Sequence, residues 1–161
     1  GNDGSDLLVP GTGNDQVFGG QGFDTVSLFD AAGPVVVDIA AGTVTGHGSN
    51  TLTGVEDAEG SVFGDTLLGS SRSNLLIGLE GDDLIEGRGG NDFLFGDDGF
   101  DTLRGGPGFD DCVDGEVHDS CEVTYVGLVA GTVANASTGD GPSLTIRLLA
   151  IGTEWLSRYR R

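Results

Sequence analysis

Acidic residues recur in this chain every nine positions. Divided from Gly60, six consecutive units read GSVFGDTLL, GSSRSNLLI, GLEGDDLIE, GRGGNDFLF, GDDGFDTLR and GGPGFDDCV. Each begins with glycine, and the sixth places hold Asp65, Asn74, Asp83, Asp92, Asp101 and Asp110. A second block begins at residue 1 with GNDGSDLLV, PGTGNDQVF and GGQGFDTVS, whose sixth places are Asp6, Asp15 and Asp24. Carboxylates at fixed spacing beside glycine-rich bends suit one chemistry above others. Carboxylate and carbonyl oxygens, about six to eight of them, are what a hard cation such as Ca2+ takes as ligands.

The elements that must position these oxygens follow from the same period. The eighth places are apolar: Leu8, Val17 and Val26 in the first block, then Leu67, Leu76, Ile85, Leu94, Leu103 and Cys112. A nine-residue unit thus divides into a six-residue turn and a three-residue strand, with the eighth side chain facing a core. Glycine at the first, second and fourth places of the turn admits positive φ and close backbone approach, so that carbonyls can converge. One rung buries almost nothing, and only stacking makes a core. Stacking carries a cost, because bare carboxylates about 4.8 Å apart repel by roughly 3 kcal/mol at an effective dielectric near 20. A divalent cation between them reverses the sign.

The G-G-x-G-x-D-x-U-x pattern, with U a large apolar residue, resembles the RTX (hemolysin-type) calcium-binding repeats of bacterial secreted proteins. The resemblance covers residues 1–27 and 60–113, and fades over 114–122. It implies an all-β fold, a right-handed parallel β-roll (a β-solenoid) with Ca2+ bound in the repeat turns. Successive units would alternate between two sides, so turns eighteen residues apart stack with an ion between them. Carried over by position, the metal ligands fall at Asp6, Asp15 and Asp24, at Gly78, Glu80 and Asp83, and at Gly87, Gly89 and Asp92. They continue at Gly96, Asp98 and Asp101, and at Gly105, Gly106, Gly108 and Asp110. The implied pairs are 78–83 with 96–101, 87–92 with 105–110, and 1–6 with 19–24. Turns 60–65 and 69–74 depart from the motif at Phe63, Arg72 and Asn74 and are expected to hold metal weakly or not at all. This gives about two to four Ca2+ ions.

Residues 28–59 break the phase. Val35, Val37 and Ile39 alternate, and Thr43-Val44-Thr45 resumes strand character after a turn. They are expected to form calcium-free solenoid rungs linking the blocks, or else a separate hairpin. In frame, residues 114–122 place Asp119 sixth and Cys121 eighth, completing a second block over 60–122. A cysteine pair close in sequence suggests a disulfide and an oxidising compartment. Opposing sheets lie about 10 Å apart, so Cys112 and Cys121 would bond only where the end of the roll narrows. Residues 123–161 lose the pattern and are expected to supply capping strands or a flexible tail.

Composition narrows the partners. The 161 residues carry 26 Asp+Glu against 7 Lys+Arg, all arginine, for a formal charge of −19. Such a chain repels phosphate, which argues against nucleic acid and anionic membranes; no apolar run is long enough for a membrane span. Without lysine there is neither a Walker A loop nor a Schiff-base lysine. The run His118-Asp119-Ser120-Cys121 has the letters of a nucleophilic site, but the repeat frame already uses two of them, and triad members meet in space rather than in sequence. His47 is expected in an exposed loop. Phe23, Phe100 and Phe109 share the fifth place of their turns and could form an aromatic row. No catalytic site is expected. The expected function is calcium binding that folds and stabilises a secreted, extracellular protein, with further domains N-terminal to Gly1. A cell-surface spacer or adhesion module, or the non-catalytic part of a secreted hydrolase or toxin, are the alternatives.

Overall fold

A computed structural model describes residues 1–121 and the backbone of 123–125. The described residues contain strands and turns and no helix. The strands are β1 (Leu7–Leu8), β2 (Gln16–Phe18), β3 (Thr25–Ser27), β4 (Val36–Asp38) and β5 (Thr43–Thr45). They continue with β6 (Ser49–Thr53), β7 (Asp57–Glu59), β8 (Thr66–Leu68), β9 (Leu75–Glu80) and β10 (Leu84–Glu86). The series closes with β11 (Phe93–Asp98), β12 (Thr102–Arg104), β13 (Asp111–Val113), β14 (Val117–Asp119) and β15 (Val123–Tyr125).

Strands of the repeats alternate between a seven-stranded sheet, β1-β3-β7-β9-β11-β13-β15, and an eight-stranded sheet, β14-β12-β10-β8-β4-β5-β6-β2. Within the repeats every neighbour is parallel and eighteen residues away, as in Leu76↔Leu94↔Cys112 and Leu67↔Ile85↔Leu103. The chain is therefore a β-solenoid of stacked coils. The core is a single file of eighth-place side chains between the sheets. Val26, Leu67, Leu76, Ile85, Leu94, Leu103 and Cys112 are wholly buried there. β9 and β11 run longer than three residues, because Leu79↔Asp97 and Glu80↔Asp98 extend their pairing into the next turn.

Residues 28–59 interrupt the stack in one sheet only. β4, β5 and β6 form an antiparallel meander, with Val37↔Val44 and Val44↔Asn50 facing pairs, spliced between β8 and β2 by parallel pairing at each side. In the other sheet β7 simply continues the parallel ladder, linking Val26 to Leu76 through Ala58. His47 corrects the expectation of an exposed loop residue: it is only 6% exposed, with Nε2 lying 3.5 Å from Asp30 Oδ1.

The frame also shifts after residue 113. β14 pairs Val117 with Thr102 and His118 with Leu103, fifteen residues away instead of eighteen. His118, not Cys121, takes the eighth place, and Glu116, not Asp119, takes the sixth. Cys121 lies beyond the paired part of β14, so sheet spacing does not hold it away from Cys112. The two are joined in a disulfide with Cα atoms 5.9 Å apart. The expected capping strands or tail over 123–161 fall outside the described residues, apart from the backbone of β15 pairing with β13.

Candidate metal-binding turns

Every repeat turn except 69–74, which has Asn74, ends on a sixth-place carboxylate; Asp6 and Asp15 are half-buried, and from Asp24 onward the side chain folds inward rather than toward water. Asp24, Asp92, Asp101 and Asp110 are wholly buried, and Asp65 and Asp83 are 3% exposed. One carboxylate oxygen has a structural use. The backbone N–H of Asp83 donates to Asp101 Oδ1 (2.9 Å), and that of Asp65 donates to Asp83 Oδ1 (2.6 Å). On the opposite edge, Asp92 N–H donates to Asp110 Oδ1 and Asn74 N–H to Asp92 Oδ1, both at 2.8 Å. In the first block Asp6 N–H donates to Asp24 Oδ1 at 2.9 Å. Carboxylates thus form ladders up both edges, each one tying down the turn beneath it.

The second oxygen separates the turns into two kinds. In turns 1–6 and 60–65 it is satisfied locally: Asp6 Oδ2 accepts from Asn2 N–H (3.0 Å) and Asp65 Oδ2 from Ser61 N–H (2.5 Å); in turn 69–74 the single amide oxygen of Asn74 accepts from Ser70 N–H (2.6 Å). Ser61 and Ser70 also use their Oγ to accept the N–H of Phe63 and Arg72, which tightens those bends. In the other kind, Oδ2 of Asp15, Asp24, Asp83, Asp92 and Asp101 is buried without a hydrogen-bond partner. The backbone draws the same line. The second place is left-handed at Leu79 (φ 83°), Arg88 (φ 73°) and Asp97 (φ 64°), and is not so at Asn2, Ser61 or Ser70. A left-handed second residue aims its N–H elsewhere, which leaves Oδ2 open.

What lies beside that oxygen is another oxygen. A Cβ added to Gly78 would come closer than 3.0 Å to both Asp83 Oδ2 and the carbonyl oxygen of Gly96. The same pair of atoms, the turn's own carboxylate and the first-place carbonyl of the turn above, crowds Gly87 (Asp92 Oδ2, Gly105 O) and Gly1 (Asp6 Oδ2, Gly19 O). Glycine is therefore required at these first places, because a methyl group would fill an oxygen-lined cradle; the unit that begins with Pro10 lacks it. Among the described residues no three His, Cys, Asp or Glu side chains converge on one point. Any cation here would be held by carbonyls with a carboxylate from each turn.

Electrostatics of the bare turns is unfavourable. Burial pushes Asp83 up to about 7; the charges of Asp65, Asp101 and Asp82 add to this, while the Asp65 N–H opposes it. Burial likewise lifts Asp92 to about 7, against the Asn74 N–H, with Asp110 adding its charge. Asp101 and Asp97 are raised mainly by burial too. Buried, like-charged carboxylates with unpartnered oxygens form a site that wants positive charge. Hard oxygens from carboxylates and carbonyls, without nitrogen or sulfur, fit Ca2+.

Comparison with known families agrees. The model of the RTX calcium-binding nonapeptide repeat matches in four copies, over residues 1–26, 59–94, 68–103 and 95–111. The chain belongs to the RTX calcium-binding nonapeptide-repeat family. No curated protein matches it. RTX repeats bind calcium and are structural, non-catalytic modules. Of the positions expected to ligate, the RTX turns here gather Asp83 with Gly78, Gly96 and Asp101, and Asp92 with Gly87, Gly105 and Asp110. Asp24 stands over Asp6, and Asp15 packs on the meander, where its N–H donates to Asn50 Oδ1 at 2.8 Å. Gly89 and Gly106 join the turn-to-turn contacts: Gly89 N–H donates to Ser70 O, and a Cβ on Gly106 would strike Arg88 O. Gly108 sits equally tightly on Gly90 O. Glu80 and Asp98 stand apart as exposed neighbours at the ends of β9 and β11.

Reasoning from the nine-residue frame missed Asn50, which enters the ladders from β6, and Glu56 and Glu116, which enter them from irregular turns. The shorter signal acid-x-apolar would have found one of them, as Glu56-Asp57-Ala58, whereas His118 at the apolar place hides Glu116. The expected aromatic row does not form as one. Phe23 and Phe109 lie on turns running from the eight-stranded to the seven-stranded sheet, whereas Phe100 lies on a turn running the other way.

Proposed function

We propose that the open turns of this chain hold Ca2+ through Asp24, Asp83, Asp92, Asp101 and Asp110, and that the ions let the repeat array fold after export to a calcium-rich extracellular medium. The carrying observation is the set of buried, unpartnered carboxylate oxygens at Asp24, Asp83, Asp92 and Asp101, each beside a carbonyl of the turn above. Buried charges of this kind are paired or bind metal. The expected load is about two to four ions, each contributing about 1.4 kcal/mol of stability when calcium stands tenfold above its Kd. Turns 60–65 and 69–74 hold none on this reading, since hydrogen bonds already close them. Glu80, Asp98 and Gly89 act in turn geometry rather than as ligands. The role is that of a folding and stability module of a secreted bacterial protein, and the disulfide Cys112–Cys121 suits that oxidising setting.

Calorimetric titration of the calcium-stripped chain tests the assignment. Asp92→Asn is expected to remove or weaken binding by at least tenfold at the 87–92/105–110 pair, while Asn74→Ala leaves the number of ions unchanged. Equal stoichiometry and affinity in wild type and Asp92→Asn would refute the assignment of that turn.

A further inference from the structure

Two irregular turns copy the open-turn geometry outside the repeats. Residues 54–56 and 114–116 are each three residues long and precede β7 and β14. Their first residues are left-handed, Gly54 at φ 62° and Asp114 at φ 55°. Their third residues, Glu56 and Glu116, stand where the repeat has its sixth-place Asp. Glu56 Oε2 accepts the N–H of Asp24 at 3.1 Å, and Glu116 Oε2 accepts that of Asp101 at 2.7 Å. The return bonds match as well. The N–H groups of Glu56 and Asp57 donate to Asp24 O at 3.1 and 3.0 Å; those of Glu116 and Val117 donate to Asp101 O at 3.1 and 3.0 Å.

The cradle recurs in both. The carbonyl oxygen of Gly54 and Asp24 Oδ2 flank the place a Cβ on Gly19 would take, and Asp114 O and Asp101 Oδ2 flank that of Gly96. Asp24 and Asp101 are wholly buried, and their Oδ2 atoms have no hydrogen-bond partner. A three-residue bend with a glutamate therefore reproduces what a six-residue bend with an aspartate achieves, because the longer side chain makes up the reach the shorter backbone loses. Neither bend lies within the residues matched by the family model.

We propose that Glu56 and Glu116 complete two junction sites for Ca2+, one with Asp24 and Gly54 O, the other with Asp101 and Asp114 O. Each places two carboxylates around one divalent ion. The first fastens the 28–59 interruption to the opening repeat block; the second fastens the disulfide-bonded end to the last. The proposal rests on the calcium reading of the repeats and extends it beyond them.

Glu56→Gln and Glu116→Gln test it in the full chain, since glutamine keeps an oxygen for the Asp N–H and removes only the charge. Calorimetric titration with CaCl2 is expected to show one fewer ion, or at least a tenfold weaker site, for each variant. Unchanged binding in both, alongside loss in Asp92→Asn, overturns this proposal and leaves the repeat sites standing. A wild-type chain that takes up no calcium overturns both. Should either variant fail to reach the wild-type circular dichroism spectrum in calcium, a crystal of the wild-type chain grown in CaCl2 decides. Ion density between Asp24 Oδ2 and Gly54 O supports the proposal, and ions confined to the repeat turns overturn it.

Discussion

At the scale of residues, the decisive contrast is between Asp92 and Asn74, eighteen positions apart in one column. Asn74 is neutral, and its Nδ2 donates to Glu56 O (2.5 Å) while its Oδ1 takes the Ser70 N–H. Asp92 has the same backbone tie but an unpartnered second oxygen, under a left-handed Arg88. A non-glycine residue in that region costs about 1–2 kcal/mol, so the open turn bears both strain and unsatisfied charge. Proton linkage follows. The folded, metal-free chain holds Asp83 and Asp92 near 7, against the ordinary value of 3.8. Between about pH 4 and 7 the folded state therefore binds more protons than the unfolded state, and stability falls as pH rises through that window. In EDTA, the strand signal seen by circular dichroism should be larger at pH 5 than at pH 8, where it is largely lost. With calcium the order reverses, because protons compete with the ion. Equal strand signal at both pH values in EDTA would contradict this.

The burial of the sixth-place aspartates was legible in the Asp-x-apolar spacing, because alternation along a strand sets which side chains face inward. The division into open and closed turns was legible only in part. Phe63, Arg72 and Asn74 marked the two deviant bends in the second block, but nothing distinguished turn 1–6. The sign of φ at the second place does not follow from residue type when Leu79, Arg88 and Asp97 all adopt positive values. At Leu79 and Asp97 it goes with the pairing of β9 with β11, a tertiary effect.

At the scale of elements, the meander of β4, β5 and β6 must be held in a stack whose period it breaks. The parallel pairing of β4 with β8 provides the backbone tie. Arg88, in the turn between β10 and β11, adds a fork: Nη1 and Nη2 donate to Asp38 Oδ1 and Oδ2, each at 2.9 Å, and Nη1 also reaches Gly69 O at 3.1 Å. This guanidinium holds the Asp38 carboxyl below its usual range. A double-mutant cycle of Arg88→Ala and Asp38→Ala, read by thermal or denaturant unfolding in calcium, should give a coupling of about 1 kcal/mol, the upper end for partly exposed pairs. A coupling near zero would show that backbone pairing alone anchors the meander. The sequence period could not reveal this arrangement, since an antiparallel insertion in one sheet leaves the other in phase. The same limit explains the slip at β14, where a bend three residues shorter moved His118 into the place assigned to Cys121.

At the scale of the whole molecule, a single file of apolar side chains faces two columns of buried acid. The core residues are mostly Val, Leu and Ile, one per rung, and the chain carries a net −19. Roughly 3 kcal/mol of repulsion between adjacent bare carboxylates, repeated along a column, rivals the 5–15 kcal/mol by which an ordinary domain is stable. The fold class was legible because the nine-residue period is a whole-molecule property, written redundantly in six consecutive units. The most direct measurement is far-ultraviolet circular dichroism of the purified chain at neutral pH, in EDTA and then in millimolar CaCl2. Strand signal should be largely absent in EDTA and appear cooperatively as calcium is added. Full strand content in EDTA, unchanged by calcium, would contradict the idea that divalent ions hold these carboxylate columns together.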